Sequence, residues 1–289
     1  MFPVKRINEI VQNPEGFQLL ERLPALNWDV PFTLFPYSDN LLRFCILDVE
    51  TTGLDENDEI IELGCVTGLV DLDVMRIAAV HSVTSLYHQP SKPIPALITD
   101  LSGITNEQVK GHTLSYDALT EALGAPDIII AHNAGFDRGF IDRYVQRLGY
   151  PALSIPWACS IKDVNWRDMG FESQALSYLL FQQGYFFNGH RASDDCLAVA
   201  NLFVTQPDAL AQVINAHQTP MLDLRVTSRF QVKDNLKSLG CEWDGEARQW
   251  HKVIDEKEAE KLATAILALD LPAYISIDKR VIPATERYR

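Results

Sequence analysis

The chain has 289 residues, a formal net charge of −14 and 47% hydrophobic residues. That apolar fraction supports a large packed core and excludes a globally disordered chain, and no run nears the ~18–20 uninterrupted apolar residues of a membrane span. The opening "MFPVKRINEI" has two basic residues with no apolar run behind them, so no secretory signal is expected. The five cysteines (Cys45, Cys65, Cys159, Cys196, Cys241) are scattered and never form a C-x-x-C pair. Cys45, Cys65 and Cys159 lie in strand-like apolar segments and read as reduced core thiols, and a cytoplasmic location is expected.

Residues 1–41 carry apolar spacing for two short helices (Val4, Ile7, Ile10, Val11, then Phe17, Leu20, Leu23), followed by a connector with Pro24, Pro31 and Pro36. From 42 the pattern turns to strands. "LLRFCILDVE" runs into a Thr-Thr-Gly turn, and "EIIELGCVTG" and roughly 74–86 complete a meander. Helices are expected at "PALITDLSGI" with "NEQVKG", and at "SYDALTEALG". "DIIIAH" reads as a buried strand, "AGFDRGFIDRYVQRLGY" as a helix, "IPWACSI" as a strand, then "QALSYLLFQQG" and "ASDDCLAVANLFV" as helices. The expected fold is α/β, a mixed sheet flanked by helices.

Around 207–220 the composition loosens, and 217–289 reads as a small α+β domain. It has a strand at "MLDLRVTS", a helix closed by Gly240, a hairpin with Trp243 and Trp250 around an Asp-Gly turn, an amphipathic helix and a last strand. The domains expected are therefore 1–41, an extension; 42–206, the main α/β domain; and 217–289, the accessory domain. Residues 42–206 hold 10 basic against 21 acidic side chains, whereas 217–289 holds 12 of each. Such an acidic surface disfavours broad capture of long nucleic acid, which needs many Lys/Arg–phosphate contacts.

Three blocks carry the chemistry: "DVETTG" at 48–53, "HNAGFD" at 132–137 and "HRASDD" at 190–195. Asp48 and Glu50 are two apart at a strand end, so both carboxylates project to one side. Asp137 falls in the first turn of a helix, where any acid is favoured by the macrodipole. His190 precedes a helix start, and periodicity leaves Asp194 and Asp195 both open as the inward acid. Acids gathered in one pocket repel each other unless divalent cations hold them, and oxygen ligands suit Mg²⁺ or Mn²⁺. A histidine beside them is suited to accept a proton near neutral pH.

The three blocks in this order resemble the DEDDh 3′–5′ exonucleases, the group holding the proofreading epsilon subunit of DNA polymerase III and RNase T. The resemblance covers about 42–206 and implies a ribonuclease-H-like fold. It implies that Asp48, Glu50, Asp137 and Asp195 bind two metal ions and that His190 is the general base, choosing Asp195 over Asp194. It further implies that Thr51, Thr52, Gly53 and Leu54 meet the terminal nucleotide. His132, Asn133 and Phe136 would line the groove, and "LSGITNEQV", with Gly103 and Ile104, would lie near the scissile end. The expected activity is a Mg²⁺- or Mn²⁺-dependent hydrolase releasing nucleoside 5′-monophosphates from 3′ ends, with DNA ahead of RNA. The rivals are an RNA-trimming enzyme and a non-catalytic binding module. For the accessory domain the expectations are a protein partner, or a basic-aromatic strand-binding surface of Lys233, Lys237, Arg248 and Lys252 with Trp243 and Trp250, set against tryptophans that simply pack its core.

Overall fold

The computed structural model describes residues 6–23, 31–219 and 221–289. After a short helix α1 (Ile7–Gln12) and strands β1 (Glu21–Arg22) and β2 (Phe32–Thr33), three long strands form an antiparallel meander: β3 (Leu41–Thr51), β4 (Ile60–Asp71) and β5 (Arg76–Tyr87). Helices α2 (Ala96–Ser102), α3 (Asn106–Val109) and α4 (Tyr116–Leu123) follow. Each has a local reason to stop or start: Gly103 ends α2 at φ 72°, Thr105 and Gln108 form a capping box, and Ser115 caps α4 through the Ala118 N–H. Strands β6 (Ile128–Ala131) and β7 (Trp157–Cys159) then add in parallel, with α5 (Ala134–Arg147) crossing between them. The six-stranded sheet has the order β2-β5-β4-β3-β6-β7.

Helix α6 (Leu176–Gln182) and strand β8 (Tyr185–Phe186) lead to α7 (Ala192–Thr205) and α8 (Pro207–Gln218). Strand alternation sorts the core. Phe44 and Ile46 face α7 and α8, while Cys45, Leu47 and Val49 face α4 and α5. The sheet is thus buried on both sides. Among the described residues, no single helix is long and apolar enough to cross a membrane.

Two expectations change here. The second N-terminal helix does not form: Phe17 and Leu20 lie in extended chain, and Glu21–Arg22 pair in parallel with Tyr185–Phe186. Val4 and Pro24 lie outside the described residues. The loosened stretch after 206 is a helix, α8, begun by Pro207 at its first turn, with Ala209, Leu210, Val213 and Ile214 buried in the main core. Their spacing makes one apolar stripe, which the polar residues between them mask in a composition reading.

Beyond α8, strand β9 (Met221–Ser228), helix α9 (Lys233–Ser238), strands β10 (Glu242–Asp244) and β11 (Gln249–Asp255), helix α10 (Glu256–Leu267) and strand β12 (Ile275–Ile282) form an antiparallel sheet ordered β10-β11-β9-β12. Its helices cover one face over Leu224, Val226, Leu236, Trp250 and Ile266. Trp250 is core, whereas Trp243 packs edge-on against it and stays half exposed. Lys252 is spent on the Leu239 carbonyl.

After β12 the chain returns to the first sheet. Arg138, fully buried over the Trp157 ring, donates to the carbonyls of Thr285 and Arg287. Arg287 pairs with Asp163 at 2.6 Å, Tyr288 also meets Asp163, and Arg289 reaches Asp142 at 3.2 Å. A cleft of about 440 Å³ remains beside this return, lined by Met221, Val253, Ile282 and Arg287 among others.

Candidate active site

Strand β3 pairs with β6 only through Phe44–Ile46. Past that point its edge is free, and the Val49 N–H is taken by Asp137 Oδ1 at 3.1 Å. The acid from the first turn of α5 thus stands where a further strand bond would have been, at 2% exposure. Asp48 and Glu50 point to the opposite face from Val49, toward the start of α7. There, ligand atoms of Asp48, Glu50 and Asp195 all lie within 4.8 Å of one another. Of the two acids left open, Asp195 joins this cluster and the groove lining, and Asp194 joins neither.

Close approach of α7 depends on Gly64, the cross-strand partner of Asp48. A Cβ at Gly64 would sit 2.3 Å from the Ala192 carbonyl carbon, so any side chain would push α7 off the sheet. At Gly53 a Cβ would lie 2.4 Å from Asp58 Oδ2, so a side chain there would displace the Asp58 carboxylate. Asp58 organises the turn after β3, accepting from Thr52 Oγ1 and the Asp55 N–H, both at 2.8 Å.

The electrostatics follow from the crowding. Burial, then the charges of Asp137, Asp195 and Glu50, hold Asp48 well above the usual carboxylate range. Burial, then Asp195, Glu62 and Asp137, push Glu50 up to about 8. Asp137 rises to about 7, chiefly by burial, although the Val49 N–H pulls the other way. Asp195 rises to about 6 by burial, opposed by the N–H groups of Arg191 and His190. Among the described residues, no lysine or arginine lines the groove. Such carboxylates fit divalent cations: hard oxygen donors from three elements, close together and short of positive charge.

His190 stands exposed at the mouth with φ 67°, a left-handed backbone rare for a non-glycine residue. The groove, about 380 Å³, is also lined by Val49, Thr51, Gly53, Leu54, Asn133 and Phe136. Leu54 is 83% exposed. Phe136 serves both the core and the groove, with its ring 4.9 Å from that of Phe140.

Three residues expected at the substrate lie elsewhere. Ile104 is fully buried with Ile61, Ile94 and Val109; Ile98 and Leu101 of α2 line the groove instead. An apolar pair three apart on a short helix with an exposed flank was the available signal. Thr52 turns to Asp58. His132 turns away from the acids, its Nδ1 2.7 Å from Ser160 Oγ, and burial pushes it down to about 4.

The model of an exonuclease family matches residues 45–203, more than half of the chain. The DNA polymerase III PolC-type of Caldanaerobacter subterraneus subsp. tengcongensis is 26% identical over 215 residues, 71% of this chain but 14% of that relative. The 3′–5′ exonuclease DinG of Bacillus subtilis is 29% identical over 182 residues, 60% of this chain and 18% of DinG. The chain thus spans less than a fifth of the length of either of these relatives. The crystal structure of a full-length 3′-exonuclease superposes with a TM-score of 0.50 at 17% identity, over 62% of this chain and 64% of that one, a likeness of ribonuclease-H-like fold. The family match over residues 45–203, which contain the three ordered blocks and the acid cluster, makes this chain a member of the exonuclease family.

Proposed function

We propose that the chain removes nucleotides from DNA 3′ ends and releases nucleoside 5′-monophosphates, with Asp48, Glu50, Asp137 and Asp195 holding two Mg²⁺ or Mn²⁺ ions. The observation that carries this is the convergence of Asp48, Glu50 and Asp195 within 4.8 Å, with Asp137 buried beside them. Bound there, such cations supply the Lewis acidity that phosphodiester hydrolysis requires. His190 accepts the proton of the attacking water, since it is exposed at the groove mouth next to the acids. Leu54, Ile98, Leu101 and Phe136 give the terminal base apolar surface, while Thr51 and Asn133 offer hydrogen bonds to sugar and phosphate.

The charge of −14 favours gripping an end over coating a strand. The DNA assignment draws support from the polymerase named among the relatives. Five free, buried cysteines suit a reducing compartment, and we place the enzyme in the cytoplasm. Residues 217–289 are proposed as an accessory module for a protein partner. The test is digestion of matched 5′-labelled DNA and RNA oligonucleotides, single- and double-stranded, with Mn²⁺ or with EDTA. Stepwise shortening of DNA with Mn²⁺ alone is expected. Faster cleavage of RNA would overturn the DNA assignment, and no cleavage of any strand would overturn catalysis.

A further inference from the structure

We infer that Glu62 and Arg191 form a positioning pair that sets His190 and Asp195 in place, a role that rests on the proposed two-metal reaction. Glu62 is the cross-strand partner of Glu50 and is fully buried, a fifth acid beside the four. It is not a spare ligand, because both of its oxygens are committed. Oε1 accepts from Ser85 Oγ at 2.6 Å and from Arg191 Nη2 at 3.3 Å. Oε2 accepts from Arg191 Nε and from the Ala192 N–H, each at 3.2 Å.

The Ala192 bond is the informative one. Helix α7 has no side-chain cap from its own N-cap residue, Arg191, so its first N–H groups need outside partners. Glu62 supplies one from β4, 130 residues away in sequence. The same Nη2 also donates to the Tyr87 hydroxyl at 2.5 Å, and the Arg191 backbone N–H donates to Asp195 Oδ2 at 3.1 Å. Arg191 is therefore fastened to the sheet by its side chain and to a site acid by its backbone. His190, in its left-handed conformation, is the very next residue.

An ion pair whose acid is fully buried, as Glu62 is, is a poor source of stability, because desolvation consumes much of the attraction. Its best-attested use is to specify one arrangement, and here the arrangement specified is the start of α7. Arg191 also offsets part of the repulsion that the Glu62 charge exerts on Glu50.

The test uses the full chain with Glu62→Gln, Arg191→Lys and Arg191→Ala. Three quantities are measured: Mn²⁺ affinity by calorimetry, kcat and KM on a DNA oligonucleotide, and the melting temperature in EDTA. Glu62→Gln and Arg191→Ala are expected to weaken Mn²⁺ binding and lower kcat by about 10–100-fold, the usual range for residues that orient ligands. KM is expected to stay within about threefold of wild type, and Arg191→Lys, which keeps the charge without the fork, to fall between wild type and Arg191→Ala. A lower melting temperature with wild-type Mn²⁺ affinity and kcat would overturn the inference, leaving the pair merely structural. If Glu62→Gln fails to fold, the ordering of the two arginine variants still decides. A wild-type chain that binds Mn²⁺ and cleaves DNA while every variant matches it sinks this inference alone. A wild-type chain that binds no Mn²⁺ sinks the proposed function, and this inference with it.

Discussion

In the groove at the end of β3, Asp48, Glu50 and Asp195 lie together, with Asp137 buried nearby and no lysine or arginine among the described lining residues. Where residues 285–289 return to the first sheet, each buried acid meets an arginine. Asp163 has Arg287 at 2.6 Å, and Asp142 has Arg138 at 3.4 Å and Arg289 at 3.2 Å. Arg138 adds two backbone carbonyls. Burial is similar at the two places, since Asp137 is 2% exposed and Arg287 4%. What differs is compensation. Acids whose charge is matched by arginines mark a joint between parts of the fold, and acids left without such partners mark a site suited to cations.

The contrast is sharpest in what substitution does. Removing His190 as His190→Ala is expected to cost about 10²–10⁴-fold in kcat, with Mn²⁺ affinity and melting temperature little changed. A loss below tenfold would remove it as the proton acceptor. At the joint, Arg287→Ala leaves Asp163 buried without its arginine and is expected to cost about 3–5 kcal/mol of stability, read by urea unfolding, with Mn²⁺ affinity unaltered in the folded protein. Asp48→Asn should do the reverse. It should abolish activity, yet in EDTA it should stabilise the chain by on the order of 1–2 kcal/mol, because a neutral amide replaces an acid whose ionised form burial and its neighbours disfavour. Destabilisation by Asp48→Asn would show that the acids are satisfied without ions.

The smallest effect is in pH. The carboxyls of Glu50 and Asp137 titrate in the fold at about 8 and about 7, above the ~4 of an unfolded chain. Such groups keep a proton in the fold that the unfolded chain has already lost, so their penalty is absent below ~4, builds as pH rises and is complete above about 8. Buried His132, pushed down to about 4, adds stability as pH climbs toward 6.5, so the clean window is pH 6.5–8.5. In EDTA the melting temperature should fall across that window by a few degrees. The stabilisation by Mn²⁺ should grow in parallel, since binding no longer has to displace protons. A flat melting temperature in EDTA would contradict the unmatched charge of the groove acids.

Much of this was legible before any coordinates. The meander, the later β/α alternation and the hairpin around Asp244 and Gly245 all follow from period and turn chemistry. Asp48 and Glu50 share a face because a strand has period two. Other features were not legible, and for a common reason. The burial of α8, the return of residues 283–289 and the turning of His132 toward Ser160 depend on partners far away in the chain. Ile104 and Ile98 illustrate the same limit, since a helix pattern does not say which of two isoleucines faces a neighbour not yet placed.

Local physics was enough to name the acids, because alternation in a strand and the first turn of a helix are properties of a few consecutive residues. Whether those acids meet was decided by packing: Gly64 lets α7 lie against β4, and Glu62 reaches across 129 residues to hold Arg191. Contacts of that span are set by how whole layers stack, which no short window of sequence contains.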